Sequence, residues 1–129
     1  MEESDLTKKI LLLDDEEIIV KMLEKVFSHF HWKVFSATRW KDAEEILHQK
    51  AIDILLCDVN MPEINGEEAC LRSKQISPSV KVVFYSCLEE NELEIIAKRC
   101  QADGWIRKGM RPFQLVEQVD KFLQKDYAK

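Results

Sequence analysis

Residues 9–15 read KILLLDD, a short apolar run that stops at two carboxylates. A strand buried on both faces has such a run without polar alternation, and the abrupt acidic stop marks where the chain leaves the sheet. The same design returns at 52–58, IDILLCD, and at 80–86, VKVVFYS, giving buried strands that close on Asp58 and Ser86. From Glu17 onward, Ile18, Ile19, Met22, Leu23, Val26, Phe27 and Phe30 recur at helical spacing, with Lys21, Glu24, Lys25 and Ser28 on the other face.

The remaining segments complete an alternating pattern. Trp32 to Ala37 reads as a strand, and Lys41 to Gln49 as a helix with Ala43, Ile46 and Leu47 inward. Asn60 to Gly66, NMPEING, holds Pro62 and Gly66 and reads as a loop leading into a helix that ends near Ile76, before Pro78. Glu89 to Cys100 forms a fourth helix with acidic residues at its start, Gly104 to Arg107 a fifth strand, and Pro112 opens the last helix. Five strands alternating with five helices through short connections predict parallel β-α-β units in a three-layer, doubly wound α/β domain.

Composition narrows the function classes. A chain of 129 residues with 46% hydrophobic and 33% charged residues suits one globular domain. Nineteen Lys+Arg against 24 Asp+Glu leave a net charge of -5, which argues against nucleic-acid binding by this chain alone and against adhesion to anionic lipid. No apolar run approaches the roughly 18 residues of a spanning helix, and the N-terminus lacks a secretory pattern, so a cytoplasmic protein is expected. Cys57, Cys70, Cys87 and Cys100 show no metal-ligand spacing and read as reduced, mostly packed thiols. Strand alternation turns Cys57 away from Asp58, and Cys87 sits at the rim with an accessible thiol. His29, His31 and His48 read as surface residues.

In doubly wound sheets the ligand site lies outside the carboxyl ends of the strands. Those ends carry Asp14, Asp15, Asp58, Ser86 and Lys108. Asp15 taken alone could equally be a helix N-cap, and Asp58 alone a turn residue. Three carboxylates in one crevice repel each other unless a cation sits among them, and hard oxygen ligands without Cys or His point to Mg²⁺. Mg²⁺ leaves positions open for phosphoryl oxygens, a lysine and a serine can hold further oxygens, and a carboxylate can be the nucleophile. Asp58 is the expected nucleophile.

The motifs LLLDDEE (11–17), LLCDVNMPEINGEE (55–68), VVFYSC (82–87) and DGWIRK (103–108) resemble, in order and approximate spacing, the receiver domain of two-component response regulators, the family of the bacterial chemotaxis regulator. The resemblance covers about Lys9 to Lys125. It implies a flavodoxin-like (βα)5 domain over 9–126 with strand order 2-1-3-4-5, flanked by tails at 1–8 and 127–129. It implies that Asp58 is the phosphoacceptor, that Asp14, Asp15, Asp58 and the Asn60 backbone carbonyl hold Mg²⁺, that Ser86 and Lys108 sense the phosphoryl group, and that Trp105 is the switch aromatic. A sensor histidine kinase or phosphotransfer protein is the implied donor. The implied output runs through the fourth helix, fifth strand and fifth helix to a downstream protein or an effector domain outside this sequence, with a homodimer formed on phosphorylation as an alternative. The role implied is regulatory and not enzymatic.

Two departures stand out. The family's lysine is often followed by a cis proline, whereas Gly109, Met110 and Arg111 separate Lys108 from Pro112, so a trans Lys108-Gly109 bond and a different fifth loop are expected. Trp105 is also larger than the usual Tyr or Phe. Leu88, two residues past Ser86, is expected to screen an acyl phosphate from water. Three rivals remain: a receiver that binds partners without phosphorylation, a Mg²⁺-dependent phosphatase, and a flavodoxin-like cofactor carrier. The phosphatase lacks a second carboxylate at Asn60, and the carrier would have to seat a phosphate against Asp14 to Glu17.

Overall fold

A computed structural model describes residues 6–124. The elements run β1 (Lys9–Leu13), α1 (Glu17–His29), β2 (Lys33–Ala37), α2 (Trp40–Gln49), β3 (Ile54–Cys57), α3 (Gly66–Ile76), β4 (Lys81–Ser86), α4 (Glu90–Cys100), β5 (Gly104–Arg107) and α5 (Pro112–Gln124). The strands form one parallel sheet in the order β2-β1-β3-β4-β5. The expected boundary at 126 and the tail at 127–129 lie outside the described residues, as do residues 1–5.

The continuous apolar runs follow from burial on both sides of the sheet. Leu11, Leu13, Leu55, Cys57, Val82 and Phe84 enter one core with side chains of α2, α3 and α4. Their alternate neighbours Ile10, Leu12, Ile54, Leu56, Val83 and Tyr85 enter a second core with α1 and α5. At α3, the Asn65 side chain accepts the Glu68 N–H at 2.8 Å and caps the helix.

The structure shifts several expected boundaries. Trp32 lies before β2, buried and edge-on to Phe27 with ring centroids 5.4 Å apart, because His31 turns the chain at φ 70. Residue Trp40 already begins α2 and is also buried. Ile52 is buried ahead of β3 without joining it, and Asp58 follows its end. Ile18 and Met22, which share the apolar spacing of α1, stay in solvent at 81% and 46% exposure. The helix has more apolar residues than one sheet-facing stripe can bury. His29, His31 and His48 are exposed, and Cys87 is the exposed member of four free cysteines. No cis peptide occurs among the described residues, and the loop after β5 turns at Gly109 with φ 119.

Gly66 marks the tightest approach of backbone to the site loop. A Cβ there would lie 2.8 Å from the Val59 Cα, 2.9 Å from the Asp58 carbonyl oxygen and 3.1 Å from the Phe84 ring. Two of these atoms are backbone and cannot swing away. Gly66→Ala is therefore expected to lower stability by about 1–3 kcal/mol in urea unfolding; an unchanged midpoint would show that the loop yields freely.

Candidate functional site

Sheet register assembles the acidic rim. Leu13 pairs with Cys57, so the next residues on adjacent strands are Asp14 and Asp58, and the Asp58 N–H donates to the Leu13 carbonyl at 3.0 Å. One carboxylate oxygen from each of Asp14, Asp15 and Asp58 lies within 4.8 Å of the others. Asp14 is 3% exposed, Asp58 is half-buried and Asp15 is exposed. The Glu16 N–H donates to Asp14 Oδ1 at 2.9 Å and the Asn60 N–H to Asp58 Oδ1 at 3.4 Å, so both carboxylates are oriented by the loops that follow them.

Lys108 reaches this group from beyond β5. Its backbone N–H donates to the Ser86 carbonyl at 2.9 Å, extending the β4–β5 ladder by one residue. Its ammonium lies 3.1 Å from Asp14 Oδ2 and 3.8 Å from Asp58 Oδ2, and 5.6 Å from the Tyr85 ring centroid. The altered loop at Gly109 leaves this reach intact. Burial pushes the Asp58 carboxyl above the usual carboxylate range; Lys108 opposes the shift, Asp14 adds to it, and the Asn60 and Val59 amides also oppose it. Burial works against the Lys108 charge, but Asp58 and Asp14 outweigh it and hold the ammonium above the usual lysine range.

The other expected residues occupy different positions. Ser86 ends β4, 3% exposed, and its hydroxyl accepts the Leu88 N–H at 3.2 Å. Asn60 is exposed beside Asp58. Leu88 packs against the core on the α4 side. Trp105 packs against that same core, and its indole N–H donates to Glu94 Oε1 of α4 at 2.8 Å, a bond that holds the Glu94 carboxyl below its usual range.

Three residues near the site escaped the sequence reading. Tyr85 looked like one more strand residue, and only the register of β4 against β5 puts its ring under Lys108. Glu94 read only as one of the acidic residues at the start of the fourth helix. Arg107 stands within DGWIRK without a role assigned to it, yet its Nε donates to the Leu88 carbonyl at 3.0 Å and its guanidinium lies 3.8 Å from the Glu89 carboxylate, tying β5 to the loop that holds Ser86.

An all-oxygen donor set with a lysine alongside fits a hard divalent cation of the Mg²⁺ type. The model of the response regulator receiver domain matches residues 10–120. The chain belongs to this family. Receiver domains are regulatory phosphoacceptors and not enzymes, which sets aside the phosphatase and cofactor-carrier rivals. Among curated proteins, this receiver is similar to the response regulator SaeR of Staphylococcus aureus, 28% identical over 114 residues that cover 88% of this chain and 50% of that protein. The chain thus spans about half the length of the curated relatives it matches.

Solved structures carry the same fold. The chemotaxis protein CheY4 of Vibrio cholerae superposes with a TM-score of 0.85 at 23% identity, covering 91% of this chain and 99% of that one. A CheY-like receiver domain protein of Methanospirillum hungatei gives 0.85 at 20% identity over 95% and 98%. A BeF3-activated DrrB receiver domain gives 0.81 at 24% identity over 92% and 99%.

The electrostatics of Asp58 set a pH dependence. Its carboxyl holds its proton more tightly in the folded chain, so its contribution to stability is largest in acid and is lost as pH rises through the window above 3.8. Asp58→Asn removes that cost. In metal-free buffer at pH 7 the variant is expected to unfold at a higher temperature than the native chain, with the gap closing toward about pH 3. An equal or lower midpoint at pH 7 would mean that pairing with Lys108 outweighs burial.

Proposed function

We propose that this receiver takes a phosphoryl group onto Asp58 from a phosphohistidine of a sensor histidine kinase or phosphotransfer protein. The observation that carries this reading is the half-buried Asp58 beside Asp14, Asp15 and the Lys108 ammonium. The donor atoms that would hold Mg²⁺ are the carboxylates of Asp14, Asp15 and Asp58 with the Asn60 backbone carbonyl. Bound there, Mg²⁺ neutralises the acidic cluster and leaves open positions for phosphoryl oxygens. An Asp58 oxygen attacks phosphorus, the P–O bond forms as the P–N bond to the imidazole breaks, and the imidazole leaves with the bonding pair. Lys108 holds one phosphoryl oxygen as a point charge and Ser86 donates its hydroxyl to another.

Signal output follows from what those two residues are attached to. Ser86 is bonded to the Leu88 amide, and the Leu88 carbonyl to Arg107, so a shift of Ser86 pulls on the start of α4. We assign the output to the α4-β5-α5 face, with Trp105 and Glu94 at its centre, acting on a separate protein or on an effector domain outside this sequence. Action in the cytoplasm suits a kinase donor, and no described helix is long and apolar enough to cross a membrane.

A protein donor is favoured by exposed apolar side chains on α1 and α5, the helices that follow Asp15 and Lys108 in the chain. Ile18 and Met22 on α1 and Phe113 on the neighbouring α5 are exposed apolar side chains, Phe113 at 61%. Incubation with acetyl phosphate, read by intact mass after rapid quenching, tests the acceptor. One phosphoryl adduct that needs both Mg²⁺ and Asp58 is expected, and an adduct that persists in Asp58→Asn, or no adduct on the native chain, contradicts the assignment. Ile18→Ser with Phe113→Ser is expected to slow transfer from a sensor kinase by about tenfold, roughly one lost anchor of 1.4 kcal/mol, while acetyl phosphate labelling stays unchanged. Equal losses with both donors would instead place the fault in the acceptor site.

A further inference from the structure

The mechanism above uses none of the buried thiols. Cys57, Cys70 and Cys100 lie in one core on the α3/α4 side of the sheet, all at 2% exposure or less. Cys57 is turned to its own neighbour, 3.2 Å from the Asp58 carbonyl oxygen. Cys70 adjoins Cys100 across the contact between α3 and α4. Cys70 Sγ, from the middle of α3, lies 3.7 Å from the Cys100 carbonyl at the last residue of α4, and Cys100 Sγ lies 3.9 Å from the Ala97 carbonyl. The facing helices are fastened alongside, where Arg99 Nε donates to Glu67 Oε2 at 2.9 Å. Neither thiol has another cysteine to pair with outside this core, because Cys87 is at the opposite, exposed end of β4.

We propose that Cys70 and Cys100 form a dithiol site that a peroxide converts into a disulfide joining the middle of α3 to the end of α4. The step balances as follows. One thiol sulfur attacks a peroxide oxygen, the O–O bond breaks, and a sulfenic acid and one water result. The second sulfur attacks the first, the S–S bond forms, and the hydroxyl leaves as a second water. Two thiols are oxidised by two electrons and one peroxide is reduced to two waters.

Burial decides the kinetics and the oxidant. Burial, together with the adjoining Cys100, pushes the Cys70 thiol up to about 12, so the reactive thiolate is scarce and the first attack is slow. Bulky disulfides are kept out by the same packing, whereas a peroxide is little larger than water. Cys100 is 2% exposed, so entry of a peroxide requires the end of α4 to open locally, next to the stop at Gln101 with φ 60. After the first oxidation the partner thiol is already in place, which makes the second step fast.

The test uses the full chain carrying Cys87→Ser, which removes the exposed competitor and leaves three thiols. The folded protein is treated with hydrogen peroxide, quenched, unfolded in denaturant and alkylated. The expected product takes up one alkyl group instead of three, maps to a Cys70–Cys100 link, and returns to three after reduction. It forms more slowly than Cys87 oxidises in the native chain and faster at higher pH. Cys100→Ala on the same background is expected to take up two alkyl groups and form no link. Peroxide treatment in urea keeps the test valid should that variant fold poorly, since the unfolded chain is expected to give mixed pairings. Three alkyl groups after a peroxide exposure many times longer than the one that fully oxidises Cys87 in the native chain would overturn the proposal. So would a link through Cys57, or the urea mixture appearing in the folded protein.

Discussion

Asp14 and Asp58 leave adjacent strands side by side, and their repulsion is the constraint around which the rest of the rim is organised. Two unit charges about 4 Å apart at an effective dielectric of 20 repel by about 4 kcal/mol, a large share of what a domain of this size has to spare. Lys108 offsets part of this, at 3.1 Å from Asp14 and 3.8 Å from Asp58. One ammonium cannot balance three carboxylates, and burial, with Asp14 adding to it, still lifts the Asp58 carboxyl above its usual range. A site left under-compensated in this way gains most from a dication and then from a group that redistributes charge on Asp58. Function and instability thus share one cause.

The same cluster is wired outward by short polar contacts. Lys108 continues the ladder from Ser86, the Ser86 hydroxyl holds the Leu88 amide, and Arg107 holds the Leu88 carbonyl and faces Glu89. One residue pair along β5, Trp105 holds Glu94 on α4. The fourth helix is therefore fastened to β5 at its start and again along its length. Where a proline often stands in the family, Gly109 at φ 119 lets the chain leave β5 without displacing Lys108.

Much of this was legible in residue order alone. Apolar runs ending in Asp14, Asp58 and Ser86 predicted the strands and the rim, because burial on both faces removes polar alternation and strand ends concentrate function. The same logic misassigned Ile18 and Met22, since periodicity marks a face without saying how much of it the neighbours cover. Trp32 looked like strand but packs on Phe27 before the strand begins, an outcome set by the left-handed turn at His31. Tyr85, Glu94 and Arg107 were invisible for another reason. Their roles depend on register between strands and on which helix a side chain meets, and no local pattern carries that information. The adjacency of Cys70 and Cys100 likewise follows from the packing of α3 on α4.

The account turns on the carboxylate cluster being a divalent-cation site whose occupation relieves its own repulsion. Thermal unfolding of the native chain and of Asp14→Asn across a MgCl2 titration, at ionic strength held constant with NaCl, tests this most directly. The account predicts a midpoint for the native chain that climbs with Mg²⁺ as the logarithm of 1 + [Mg²⁺]/Kd, and a nearly flat response for Asp14→Asn. Equal slopes for the two proteins, or no rise beyond that given by NaCl, would contradict it.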